Sequence, residues 1–328
     1  MVNIDAAVQQ FLTLNEFSKP CADILAKVLL SKDVKLSIQL RALYFCRDLP
    51  SSECDDILKK ALLIHYDTFL RHEIAYVIGQ SGCMEASDVL VKLLEDVSED
   101  PMAGEAIAAL GGKQYVNVIA KYKDDPCVVV RDTCRLALHS LLYGSSDGEY
   151  DTVPICSCIS APISTSAYRA VDPVPCSSSE MNDGTIQSLR DVLNDESVDL
   201  YKRYEALFNI RNANGDAAAV IISEALLCDS VSEVFRHECA FVLGQMQSMA
   251  VADPLIQCLA NINEEPIVRH EAALALGSCA SMCNDKDKRQ TIIDALTTHM
   301  KDPIKVISDS CIVALDNIEE AVGTRAND

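Results

Sequence analysis

Three of the six histidines in this 328-residue chain share one setting, Arg-His-Glu, at residues 71–73, 236–238 and 269–271. Imidazole nitrogen and carboxylate oxygen are the donors of non-haem iron sites. The arginine has a structural use at the start of an inner helix, but an adjacent His and Glu are bulky and polar and add nothing to apolar packing. The set His72, Glu73, His237, Glu238, His270 and Glu271 therefore points to metal binding. The structural alternative is a row of surface polar groups, each Glu complementing the positive end of its helix; recurrence at matched positions weighs for the metal. His65, His139 and His299 lack the pattern and read as packing or surface histidines. No nucleophile elbow, P-loop or dinucleotide fingerprint is present.

The elements that carry these pairs repeat. The segments 71–80 and 236–245 share Arg, His, Glu, Ala, Val, Gly and Gln at an offset of 237 − 72 = 165. Asp100-Pro101 meets Glu265-Pro266 at the same offset, and Arg41-Ala42-Leu43 meets Glu205-Ala206-Leu207 at 205 − 41 = 164. The chain is a duplicated half. A shorter period lies inside it: Arg203, Arg236 and Arg269 are spaced by 236 − 203 = 33, each ahead of a helical apolar pattern. Acidic-Pro pairs at 125–126, 265–266 and 302–303 suit helix starts, where the first turn lacks acceptors for its N–H groups. Helix pairs of about 33 to 40 residues predict an all-α fold, an α-solenoid with about four pairs per half. The run Asp125-Pro126-Cys127-Val128-Val129-Val130-Arg131 resembles a HEAT-type repeat. The pattern stops over Gly144–Gly184, rich in Ser, Pro, Gly and Cys, which predicts a flexible linker over 144–184 between halves at 1–143 and 185–328. Cys156 and Cys158 are too closely spaced for a zinc site and have no matching pair.

Composition narrows the class. Lys and Arg number 28 against 49 Asp and Glu, a net charge of −21, which argues against nucleic acid and anionic membrane as partners and suits a basic protein. The 49% hydrophobic content excludes wholesale disorder, and no apolar run reaches the roughly 18 residues of a membrane helix. Without an export signal at Met1–Asp5, the 15 cysteines read as reduced core thiols of a cytosolic protein.

With these motifs in view, the chain resembles the deoxyhypusine hydroxylase family over nearly its whole length. The resemblance rests on His72-Glu73 through Gly79-Gln80, His237-Glu238 through Gly244-Gln245, Glu265-Pro266-Ile267-Val268-Arg269-His270-Glu271, and Val171-Asp172-Pro173. It implies two symmetric HEAT-repeat halves with four His-Glu motifs, and a cytoplasmic monooxygenase with two Fe(2+) per chain. It implies hydroxylation by dioxygen of the deoxyhypusine side chain of translation initiation factor 5A, by a protein expected to be monomeric. Carried over, His72, His237, His270 and Glu271 are iron ligands, Glu73 and Glu238 hold the substrate amine, and no catalytic residue stands apart from the metal site. A HEAT-like chromophore lyase would share the repeats, but gives no reason for the His-Glu pairs.

One motif is missing. After Met102 the chain reads Ala103-Gly104-Glu105-Ala106 with no His-Glu pair. Either Glu105 pairs with Glu271 at 271 − 105 = 166 and Gly104 replaces the histidine, or four residues of the family's Val-Arg-His-Glu type have dropped out. The second is preferred, because it keeps the family's spacing to Asp125-Pro126. In both cases a histidine ligand is lost: if the family pairs its first motif with its fourth, His72, His270 and Glu271 complete one iron site, and the other iron keeps His237 and at best Glu105 as a weak substitute. The alternative function is then an impaired HEAT scaffold that binds the modified factor.

Overall fold

The computed structural model describes residues 4–13, 21–49, 51–65, 67–82, 84–95, 103–111, 113–143, 168, 171–174 and 182–325. Among these residues the regular structure is helical throughout, with no strand. The chain divides into two compact units, Met1–Thr165 with Arg169–Pro173, and Ser166–Tyr168 with Val174–Asp328.

The first unit contains α1 (Ile4–Leu12), α2 (Ala22–Leu29), α3 (Leu36–Phe45), α4 (Ser51–Ile64), α5 (Thr68–Ser81), α6 (Ser87–Glu95), α7 (Ala103–Leu110), α8 (Val116–Ile119) and α9 (Val128–Tyr143). The second contains α10 (Asp183–Asn194), α11 (Leu200–Ala213), α12 (Asp216–Cys228), α13 (Glu233–Met246), α14 (Ala252–Ala260), α15 (Pro266–Met282), α16 (Lys286–His299) and α17 (Lys305–Arg325). In each unit, alternate helices pack on one another: α3 on α5, α5 on α7 and α7 on α9, then α11 on α13, α13 on α15 and α15 on α17. This is the stacking of helix pairs that the 33-residue period predicts.

Local chemistry sets the helix starts. Asp67 accepts from the Leu70 amide at 3.1 Å and Ser232 from the Phe235 amide at 3.3 Å, while Pro266 opens α15. The arginine of each triplet then pins its helix to the preceding one. Arg71 donates to the Leu62 and His65 carbonyls, and Arg269 to the Leu259 carbonyl at 2.8 Å. In the second unit these contacts extend into a buried charge ladder. Arg203 meets Asp229 at 2.7 Å, Arg236 meets Asp229 at 3.4 Å and Glu264 at 2.7 Å, and Arg269 meets Asp302 at 2.7 Å.

Most of the expected linker, including Cys156 and Cys158, lies outside the described residues. Its last residues are helical: Asn182 caps Thr185 at 3.0 Å, so α10 starts at Asp183 instead of after Gly184. Val171 bonds twice to Gln80 on α5, accepting from its Nε2 at 3.0 Å and donating to its Oε1 at 2.7 Å. The described cysteines are free thiols, and Cys46, Cys54, Cys134, Cys239, Cys258, Cys279, Cys283 and Cys311 are buried. No described helix is long and apolar enough to cross a membrane.

Candidate metal centre

The second unit brings two of the His-Glu pairs together. His237 and Glu238 lie in the second turn of α13, His270 and Glu271 in that of α15, and all four side chains are buried. Glu238 and Glu271 are thus neither surface groups nor first-turn partners of a helix end. His237 and His270 face each other with ring centroids 5.6 Å apart and planes at 34°. Glu271 Oε2 lies 3.7 Å from His237 Nε2 and 4.0 Å from His270 Nε2. These separations are too long for hydrogen bonds. They match the roughly 3 to 4 Å between donors that share an ion through bonds of about 2.0–2.2 Å. Two imidazoles and one carboxylate form the donor set of non-haem Fe(II) sites. The residues present therefore fit iron.

Glycine sets this spacing. A Cβ at Gly244 would lie 3.1 Å from Ala275 Cα and 3.2 Å from Ala275 Cβ. Gly244 follows His237 by seven residues, and Ala275 follows Glu271 by four, so each glycine or alanine shares a helix face with its donor. The close approach that Gly244 permits is on the same interface as the His237–Glu271 pair. His270 and Gly277 repeat the spacing, and a Cβ at Gly277 would lie 3.0 Å from Ala314 Cα on α17. This His-x6-Gly spacing was a readable signal that the functional reading of the motifs did not use.

The first unit holds a reduced version. His72 and Glu73 lie on α5, with Glu73 buried and His72 half-buried. A Cβ at Gly79 would lie 3.0 Å from Ala106 Cα on α7. Gly79 maps to Gly244 at 244 − 79 = 165, but its contact Ala106 maps to Ala275 at 275 − 106 = 169. The difference is four residues, about one helical turn. Ala109 Cβ also lies 3.3 Å from that position and maps to Ala275 at 275 − 109 = 166, the offset that pairs Glu105 with Glu271, so the packed alanines fit both alignments. α7 is described over Ala103–Leu110, and residues 96–102 before it lie outside the described residues. Under the four-residue-loss alignment Glu271 falls opposite Met102, at 271 − 102 = 169, which offers no carboxylate; under the other it falls opposite Glu105.

Glu105 is the acidic group that α7 supplies near His72. Its Oε2 is shielded from solvent and has no hydrogen-bond partner among the described residues. Burial pushes its carboxyl up to about 7, and the charge of the His72 imidazole acts the other way. Beside this pair, the Tyr44 hydroxyl on α3 donates to Glu73 Oε2 at 2.5 Å, a contact the sequence reading missed.

The remaining histidines have other uses. His65 is buried with Nε2 at 2.7 Å from the Leu29 carbonyl, and His299 sits 3.9 Å from Asp302. His139 lies on α9, half-buried.

Comparison with known proteins agrees with this architecture. The PBS lyase HEAT-like repeat family matches residues 235–261, which span α13 and α14. Human deoxyhypusine hydroxylase is 35% identical over 305 residues, covering 92% of each chain. The Plasmodium vivax deoxyhypusine hydroxylase is 39% identical over 306 residues, covering 86% of each. The structure of the human enzyme in complex with glycerol matches at a TM-score of 0.78 and 32% identity, over 96% of this chain and 98% of that one.

Proposed function

Because this chain belongs to the deoxyhypusine hydroxylase family, we propose that it binds iron through His72, His237, His270 and Glu271 and hydroxylates the deoxyhypusine side chain of translation initiation factor 5A in the cytoplasm. The observation that carries this reading is the buried set His237, His270 and Glu271, with its donors 3.7 and 4.0 Å apart. Bound iron would supply the activation of dioxygen needed to oxidise a C–H bond. The protein's own groups do the rest. The two histidines and Glu271 are buried, so little must rearrange to receive the ion. Glu73 and Glu238 are acceptors for the ammonium of the substrate's extended arm, and hold it at a fixed distance from the donors on the same helices. The net charge of −21 draws a basic partner toward the site.

A second reading is favoured by one specific observation, the absence of a His-Glu pair after Met102. His72 has Glu105 in place of a His-Glu pair, so the set of ligands in the first unit is incomplete. On this reading the protein binds one iron firmly and acts as a scaffold for the modified factor. Metal analysis with an assay for hydroxylation separates the two. Two irons per chain and one oxygen atom of added mass on the factor support the enzyme. Binding of the factor without oxygen consumption supports the scaffold. A protein that binds neither iron nor the deoxyhypusine-bearing factor sinks both.

A further inference from the structure

The two substrate-facing carboxylates differ in their surroundings. Glu73 Oε2 accepts a hydrogen bond from Tyr44 Oη at 2.5 Å. Tyr44 lies on α3, and its counterpart on α11 is Phe208, at 208 − 44 = 164, the offset of the adjoining Ala42-Leu43 and Ala206-Leu207. Phe208 is 0% exposed and has no hydroxyl, so that position of α11 offers no such donor. Tyr44 is 40% exposed, whereas Glu73 is 5% exposed. Its ring therefore reaches solvent while its hydroxyl engages a buried carboxylate, which is not what core packing alone requires.

We propose that Tyr44 is a positioning residue that aims Glu73 at the terminal ammonium of the substrate arm. The inference rests on the reading of Glu73 and Glu238 as amine-binding groups. A phenol donating to a carboxylate makes a short, charge-assisted hydrogen bond. It fixes one oxygen and hence the plane of the group, so an incoming ammonium meets an acceptor whose rotation is already restricted.

The test uses the full-length, iron-loaded protein and the deoxyhypusine-bearing factor. Calorimetric binding without oxygen is the first measurement, and steady-state kinetics the second. Tyr44→Phe removes only the hydroxyl. It is expected to weaken binding about tenfold, and to raise KM by the same factor with kcat within about twofold, the scale of one hydrogen bond to a charged group. In a Glu73→Gln background the same change is expected to have no further effect, because Tyr44 acts through the carboxylate. Binding by Tyr44→Phe equal to wild type overturns the proposal, and so does an undiminished loss in the Glu73→Gln background. If the unmodified protein does not bind the factor, the amine-binding reading fails together with this inference. If it binds and Tyr44→Phe binds equally well, only the role of Tyr44 fails. The binding measurement needs no turnover and so applies to either functional reading.

Discussion

Replacing Gly244 with alanine tests whether backbone-level contact between α13 and α15 sets the spacing of the metal donors. The new Cβ would lie 3.1 Å from Ala275 Cα and 3.2 Å from Ala275 Cβ. Carbon atoms prefer about 3.5 to 4.0 Å, so the helices must separate by about 0.3 to 0.9 Å. The same interface carries the His237–Glu271 pair at 3.7 Å, and metal sites tolerate departures of only about 0.2 Å. Overpacking costs about 1 to 3 kcal/mol, offset by about 1 kcal/mol from replacing glycine within a helix. The net loss of stability is therefore small, up to about 2 kcal/mol, while iron affinity is expected to fall about 10- to 100-fold, as when a group that orients a ligand is lost. Thermal unfolding of the metal-free protein and anaerobic Fe(II) titration measure the two effects side by side. Gly323→Ala on α17 is the control, since nothing lies within 4 Å of its Cβ position, and it should leave metal binding unchanged. A stable Gly244→Ala protein that binds iron with wild-type affinity would falsify the link between this close contact and the site.

Insertion of Val-Arg-His-Glu between Met102 and Ala103 adds about one turn to α7 and should raise tightly bound iron by about one per chain; metal analysis showing no increase in a folded insertion protein would reject the account of a lost turn. Asp229→Ala leaves the buried Arg203, previously paired at 2.7 Å, without its carboxylate. Urea unfolding should show a loss of about 3 to 5 kcal/mol, and a loss below 1 kcal/mol would contradict the role given to the charge ladder. Burial lowers the His65 imidazole from its usual 6.5, so the folded state resists a proton that the unfolded chain accepts. Its contribution to stability is full above pH 6.5 and declines as pH falls toward the lowered folded value. His65→Gln should flatten the slope of stability against pH just below 6.5, and an unchanged slope would argue against it.

Much of the fold was legible because helix formation and repetition are local properties. The 33-residue spacing of Arg203, Arg236 and Arg269 announced stacked helix pairs, and Asp67, Ser232 and Pro266 open the helices that carry the histidines. The recurring Arg-His-Glu triplets marked the candidate ligands, since two adjacent polar residues have no packing use there. The absence of a second His-Glu pair was equally plain.

What the sequence left open was decided by contacts between helices. That α5 and α7 come into backbone contact at Gly79 and Ala106, as α13 and α15 do at Gly244 and Ala275, is not in the letters. Tyr44 and Glu73 are 29 positions apart and no spacing rule joins them, so their bond emerges only when α3 packs on α5. The same is true of Glu105, whose carboxyl is raised by burial against the opposing charge of a histidine on another helix. A residue's type and period determine which helix face it occupies. Its partner and its protonation depend on how closely the next helix comes, and that distance is set by the small residues packed between them.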